Sequence, residues 1–281
     1  MLRSLPAERL SALRQYLEKR DGEVVSYVQL ANEFDVSIQT VRRDVLGLEE
    51  AGLVRRTFGG AIVNALSTQI EPMIDSRRIA AHAEKTAIAG VAADFLENEA
   101  TYFDASTTVM ELIARIPDAW KGEATTSSLP AAYELARNTT GPITVLGGEY
   151  RRGSECVGGS ATLAQITQMR FGTAFLSCRA FSPEHGLTEA NESEAELKRV
   201  VIRNSRRVVL MADSTKADGI SPFSFGDISS AHLFVTDEGL GADVRGRMAS
   251  STQLLIAARP RKRAKDSAGH VDGTRPPPTR R

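Results

Sequence analysis

SYVQLANEFDVSIQTVRRDVLGLEEAGLVRRTFGGAIV, residues 26–63, is the stretch whose reading decides the fold. Ser26 followed three residues later by Gln29 has capping-box spacing and opens a helix from Tyr27 to Phe34, with Val28, Leu30, Ala31 and Phe34 at helical intervals. Asp35 and Val36 make a turn. Ser37 caps a second helix, in which Ile38, Val41, Val45 and Leu48 recur every three or four residues and define a buried stripe. Gln39 and Arg43 then fall opposite the stripe, with Thr40 and Arg42 on its flanks. Such an outward polar face suits the major groove of DNA, where glutamine pairs with adenine, arginine with guanine, and threonine or a backbone N–H with phosphate. Gly52 stands where the helix should stop. Residues Leu53 to Phe58 and Ala61 to Val63 flank Gly59-Gly60, which reads as a β-hairpin, a wing that carries Arg55 and Arg56 toward phosphate or the minor groove.

Working outward, residues 1–63 hold nine Lys or Arg and nine Asp or Glu, so the module has no basic excess. Placement argues for DNA instead: Arg42, Arg43, Arg55 and Arg56 cluster on the groove-facing elements, while Glu8, Glu18, Asp21 and Glu23 lie in or just after the first helix. A chain of 281 residues is long enough for this module plus a second domain with a full core. The division expected is 1–63 for a winged helix-turn-helix, 64–75 for a linker containing Pro72, 76–258 for an effector domain and 259–281 for a disordered tail. The tail has eight Lys or Arg against Asp266 and Asp272, a net of +6 that leaves −6 for the rest; it is read as a solvated extension or an auxiliary, non-specific DNA contact. Hydrophobic residues make up 42% and charged residues 25%, as in ordinary globular chains, and no run reaches the roughly 18 apolar residues of a membrane span. A cytoplasmic protein without membrane attachment is expected. Cys156 and Cys178 have neither metal nor redox spacing, and His82, His185, His232 and His270 are scattered, so neither a metal site nor a cofactor is expected.

After the linker a long helical pattern places Ile79, Ala87, Ile88, Val91, Ala92 and Phe95 on one apolar face. Strand-like and helix-like segments then alternate: strand 100–104, helix 107–116, strand 123–126, helix 129–137, strand 143–146, strand 173–177, helix 193–203, strand 207–212 and strand 233–236. That rhythm is α/β, a mostly parallel sheet covered by helices. In such a sheet the ligand lies outside the carboxyl ends of the strands. There the sequence offers Asp104, Ser106, Thr107 and Thr108 after one strand, Thr126 and Ser127 after another, Gly147 and Gly148 after a third, and Lys216 after a fourth, with Lys85 beside them. Hydroxyls and backbone N–H groups hold a phosphate, a lysine balances its charge and Asp104 holds a sugar hydroxyl; taken singly, each stretch also reads as a plain helix cap.

The segment Val36 to Asp44, the wing Arg55 to Ala61, and Glu84-Lys85, Asp104 to Thr108, Gly147-Gly148, Gly158, Gly186-Leu187, Glu194, Lys198 and Ala212 to Lys216 together resemble a DeoR-type transcriptional regulator over residues 6–237. The resemblance implies a repressor of sugar catabolism genes whose second domain is similar to sugar-phosphate isomerases and takes a phosphorylated sugar as inducer. Three positions depart from the family pattern. Ala105-Ser106 stand in the usual Asp-x-Gly-Thr-Thr, Ser127-Ser128 follow Thr126 where asparagine is usual, and Arg179 replaces an acidic residue in Ser177-Cys178-Arg179-Ala180. That arginine admits a more anionic ligand or closes the pocket on Glu192 or Glu194. The alternative is a sugar-phosphate isomerase fused to a DNA-binding domain, but isomerisation needs a carboxylate base and Arg179 occupies its place; Glu194 and Lys198 also read as an i, i+4 ion pair. The expectation is therefore a non-enzyme that binds double-stranded DNA as a homo-oligomer on repeated half-sites.

Overall fold

The computed structural model describes residues 9, 10, 12, 13, 16, 17, 20, 24–50, 54–57, 59–63 and 74–258. The stop at Gly52, the side chain of Arg55, most of the linker and the tail 259–281 lie outside them.

In the N-terminal part, β1 (Val25–Ser26) leads into α1 (Tyr27–Glu33), and α2 (Ile38–Glu50) is followed by the hairpin β2 (Val54–Thr57) and β3 (Gly60–Val63). The capping box forms as its spacing requires: Ser26 Oγ accepts from Gln29 N at 3.2 Å, and Ser26 N donates to Gln29 Oε1 at 3.0 Å. Asp35, at φ 48°, turns the chain in the left-handed region that aspartate tolerates. Leu13, Leu17, Tyr27, Leu30, Ala31, Val41, Val45, Leu48, Val54 and Ala61 close one small core.

Two residues of the expected apolar stripes lie outside this core. Val28 is 55% exposed because Tyr27, not Val28, shares the inner face with Leu30 and Ala31, and Ile38 is 41% exposed because the first turn of α2 projects beyond the packed region. The hairpin is also shifted by one residue. Thr57 pairs with Gly60, so Gly60 belongs to the strand and not to the turn. Gly59 supplies the positive φ of 88°, whereas Gly60 is a strand residue over which β1 passes so closely that a Cβ would sit 2.4 Å from Val25 O. β1, absent from the sequence reading, completes a three-stranded antiparallel sheet in the order β1-β3-β2.

A short helix, α3 (Ile74–Ile79), starts inside the stretch read as linker, and α4 (His82–Ala92) follows. The single long helix expected here is broken at Ala81, which has φ 51°. This reversal leaves Ile79 59% exposed, so it does not belong to the apolar face with Ala87 and Ile88.

Seven parallel strands form the larger sheet. They are β4 (Ala100–Phe103), β5 (Glu123–Thr126), β6 (Ile143–Val145), β9 (Phe171–Leu176), β12 (Ser205–Met211), β14 (Leu233–Asp237) and β15 (Gln253–Ala257). Their order is β15-β14-β12-β9-β4-β5-β6. Side chains alternate as both buried faces demand: Phe103, Phe175, Val209, Met211 and Val235 enter one core, and Tyr102, Ala174, Leu176, Val208, Leu210 and Phe234 enter the other. α4, α5 (Thr107–Ile113) and α6 (Leu129–Asn138) cover the first; α7 (Ser160–Thr167), α8 (Glu192–Arg203) and α9 (Ala242–Met248) cover the second.

Additions to the expected alternation are the hairpin β7 (Glu149–Arg151) and β8 (Cys156–Gly158), and a small sheet of β10 (Ala180–Ser182), β11 (Gly186–Glu189) and β13 (Phe223–Gly226). The sheet grows from β4 toward β6 on one side and from β9 toward β15 on the other, so the crossover direction reverses between β4 and β9. A crevice opens at the carboxyl ends of strands at such a reversal.

Candidate functional site

Two regions carry chemistry. On the first, Ser37 Oγ accepts from Thr40 N at 3.1 Å and shares a 2.9 Å hydrogen bond with Thr40 Oγ1, which fixes the start of α2. Gln39, Arg42 and Arg43 are exposed there as expected, and the Arg42 guanidinium lies 5.6 Å from the Tyr27 ring centre. The next residue, Asp44, turns inward. It is buried and receives Arg9 Nε at 2.6 Å and Nη2 at 3.2 Å, a fork that fastens the first helical segment to the reading helix.

Arg56 differs from the expectation of a free phosphate contact. Its backbone N donates to Glu49 Oε1 at 2.9 Å and its Nε to Glu49 Oε2, so the residue braces the wing against α2. These hydrogen bonds hold the Glu49 carboxyl below its ordinary pKa. Gly59 is exposed at the turn with open space beside it, whereas Gly60 is buried beneath β1. Arg9 and Glu49 carried no signal in the sequence, because each partner lies far along the chain or beyond the helix end.

The second region is the set of polar side chains at the carboxyl ends of β4 and β9, and its hub is Ser177, which stands in no motif of its own in the sequence. Ser177 N donates to Asp104 Oδ2 at 3.0 Å, Ser177 O accepts from Lys198 Nζ at 2.7 Å, and Ser177 Oγ receives Lys216 Nζ at 3.1 Å. Lys198 also donates to Glu189 Oε1 at 2.6 Å and lies 2.9 Å from Asp104 Oδ2. Burial opposes its charge, but Asp104 and Glu189 outweigh that and hold the ammonium well above the ordinary lysine value; burial pushes the Glu189 carboxyl up. Asp104 is therefore engaged by Ser177 and Lys198 and is not the open sugar-hydroxyl acceptor expected. The expected pairing of Glu194 with Lys198 does not form either: Glu194 lies 3.1 Å from Arg151 Nη1 and accepts from Ser154 Oγ at 3.2 Å. Arg179 is half-buried and its backbone N donates to Thr188 O at 3.0 Å.

Lys216 donates to Cys178 O at 2.8 Å as well. Beside it, buried Lys85 donates to Ala80 O at 2.6 Å and to Arg77 O. Burial first, then the charge of Lys216, lowers the Lys85 pKa to about 8. Thr107 Oγ1 donates to the same Arg77 oxygen at 3.4 Å, and Ser106 Oγ caps α5 through Val109 N at 3.0 Å. Thr108 Oγ1 is buried with no partner among the described residues.

The remaining expected residues support the backbone. Thr126 Oγ1 accepts from Ser128 N at 3.1 Å, and Ser127 Oγ meets Tyr102 OH at 3.3 Å inside the core. Gly147 is held by Gln165 and Thr162, and a Cβ on Gly148 would lie 2.1 Å from Thr162 Oγ1, so Gly148 makes room for α7. Thus Asp104, Lys85, Lys216, Ser106 and Thr107 gather at the β4 and β9 ends, while Thr126, Ser127, Gly147, Gly148 and Glu194 are engaged in local structure.

Among the described residues no group of three or more His, Cys, Asp or Glu is placed to hold a metal, and no helix is long and apolar enough to cross a membrane.

A braced helix-turn-helix with a wing, joined to a doubly covered parallel sheet with charged groups at its switch point, defines a DNA-binding regulator with a sensor domain. Residues 9–66 match the DeoR-like helix-turn-helix domain and residues 80–238 the DeoR C-terminal sensor domain. The chain belongs to the DeoR family of transcriptional regulators. It is 32% identical to the HTH-type transcriptional regulator GlpR of Haloferax volcanii over 90% of this chain and 98% of that protein. It is 30% identical to the HTH-type transcriptional repressor CsqR of Escherichia coli over 81% and 87%. These relatives are regulators, and the chain is a regulator rather than an enzyme. Ribose 5-phosphate isomerase A from Neisseria gonorrhoeae superposes on 47% of this chain and 52% of its own at 18% identity and a TM-score of 0.35, a likeness that carries no argument.

Proposed function

We propose that this protein is a cytoplasmic repressor of carbohydrate catabolism genes that binds double-stranded operator DNA as a homo-oligomer and is released by a phosphorylated sugar. In this reading residues 1–63 read DNA, 64–75 connect, 76–258 sense the effector and 259–281 form a basic tail. Gln39 and Arg43 contact base edges, Ile38 offers an apolar surface to a thymine methyl, and Ser37, Thr40, Arg42 and Arg55 contact phosphate. The effector phosphate lies against Lys85, Lys216, Thr107 and Thr108.

One observation carries the sensing half. Lys85 shares the Arg77 carbonyl with Thr107, Lys216 holds Ser177 Oγ and Cys178 O, and the charge of Lys216 helps lower the Lys85 pKa. Two like charges held together in a crevice are relieved by an incoming dianion. Asp104 and Glu189 flank the site, but both are held by the Lys198 ammonium, so neither is a free base for isomerisation.

The test is a melting screen of pentose and hexose phosphates beside their unphosphorylated parents. A ligand at about 100 times its Kd stabilises the protein by about 2.7 kcal/mol. The phosphorylated member alone should do so, and it should release operator DNA in a gel shift. Equal stabilisation by the unphosphorylated sugar would count against the anion site, and stabilisation without release would count against the sugar phosphate as inducer.

A further inference from the structure

We propose that Lys85 is the residue that transmits effector occupancy toward the DNA-reading domain: the incoming anion competes with the Arg77 and Ala80 carbonyls for its ammonium and thereby releases α3. The proposal rests on the reading of the β4 and β9 ends as an anion site. Its basis is a single shared atom. Arg77 O, near the carboxyl end of α3, accepts from both Lys85 Nζ and Thr107 Oγ1. Ala80 O, one turn on, accepts from Lys85 as well. The last carbonyls of a helix have no partner within it, so α3 is anchored by side chains that belong to the effector crevice.

Three features make this anchorage a two-position device. First, α3 has six residues and is too short to be stable by itself, so its order depends on what holds it. Second, Ala81 closes the α3 to α4 junction at φ 51° and ψ 35°, a left-handed conformation that alanine adopts only under constraint. Releasing the Ala80 and Arg77 carbonyls removes that constraint. Third, an ammonium shared between neutral carbonyls and an anion prefers the anion, because the full negative charge adds Coulomb attraction to a hydrogen bond that either acceptor can make. Ten residues separate the end of β3 from the start of α3, so the element released is the one that the chain enters from the wing. An effector acts only through unequal affinity for two states, and the states here are α3 anchored to Lys85 and α3 let go.

The experiment is amide hydrogen exchange on the full chain in saturating inorganic phosphate against chloride at equal ionic strength. Phosphate should slow exchange over residues 104–110 and speed it over 74–84 by roughly tenfold, the consequence of losing hydrogen bonds from a charged donor. Slowing at 104–110 with 74–84 unchanged overturns the coupling and leaves the anion site standing. No response in either segment overturns both. Lys85→Met should exchange fast over 74–84 already in chloride and ignore phosphate; wild-type rates there overturn the proposal. Should that variant not fold, Thr107→Val removes only the second donor to Arg77 O. It should speed exchange over 74–84 in chloride, and an unchanged rate overturns the shared anchorage.

Discussion

Replacing Lys198 by methionine removes the one cation between two buried carboxylates. The Lys198 side chain is 6% exposed, Asp104 4% and Glu189 9%, so water is in no position to replace the ammonium. It makes contacts at 2.6, 2.7 and 2.9 Å to Glu189, Ser177 O and Asp104. Breaking a buried ion pair by removing one partner costs about 3–5 kcal/mol, chiefly because the orphaned charge stays in the interior. Here two carboxylates are orphaned, but Glu189, already raised by burial, takes up a proton and limits the loss.

A carboxyl whose folded pKa is raised contributes stability that is present below its unfolded pKa and is lost as pH rises through the folded one. The deficit of Lys198→Met should therefore be largest at about pH 8 and smaller at about pH 5. At about 2–4 °C per kcal/mol for a domain of this size, melting should fall by about 6–20 °C at the higher pH. Trp120, the single tryptophan, is buried against Phe103 in the larger domain, so its fluorescence reports that domain alone. Adding Asp104→Asn and Glu189→Gln should recover most of the loss. A deficit under about 1 kcal/mol, or one equal at both pH values, would refute the buried-charge reasoning.

Arg43→Ala should cost about 1–3 kcal/mol on operator DNA and relax base specificity, whereas Asp44→Ala, which frees the Arg9 clasp, should weaken all sequences alike; binding curves on operator and random duplexes separate them. Gly60→Ala should melt the N-terminal domain early while the Trp120 signal stays in place, since its Cβ would meet Val25 O at 2.4 Å; an unchanged N-terminal melt would contradict that crossing. Effector affinity should fall as pH rises through about 8, where Lys85 loses its proton among Lys216, Arg77, Asp213 and Glu111, and calorimetric titration across that pH reads it. The unfolded chain holds that proton more tightly, so the contribution of Lys85 to stability rises with pH between about 8 and the ordinary lysine value. Burial pushes the Cys178 thiol up to about 12, so it should resist alkylation until the protein is unfolded; rapid native labelling would show that the crevice opens.

Local rules reached some of this molecule and not the rest. The Ser26 and Gln29 box, the Ser37 cap, the exposed Gln39, Arg42 and Arg43, and the alternating α/β order depend on neighbours within four residues or on strict periodicity, and all were legible. Arg9 with Asp44, Ser177 with Asp104, and Arg77 O with Thr107 join residues far apart in sequence, and no spacing rule reaches them. The misplacement of Val28, Ile38 and Ile79 has a related cause: apolar periodicity names a face, but tertiary packing decides where along the helix that face is covered. Gly59 and Gly60 look alike in sequence because both lack a side chain, although one needs its φ and the other needs the space.

Arg9 with Asp44, Arg56 with Glu49, and Tyr27 N with Gly59 O, at 2.9 Å, tie the first helical segment, the reading helix and the wing into one unit before any DNA is present. A reader built this way spends little conformational entropy on contact and has little give in its span. The adjustment then falls on the duplex, whose groove width and step flexibility set what it costs to meet a fixed helix-to-wing distance. Operators of this protein should accordingly share bases at positions that no side chain touches, chosen for how the duplex bends.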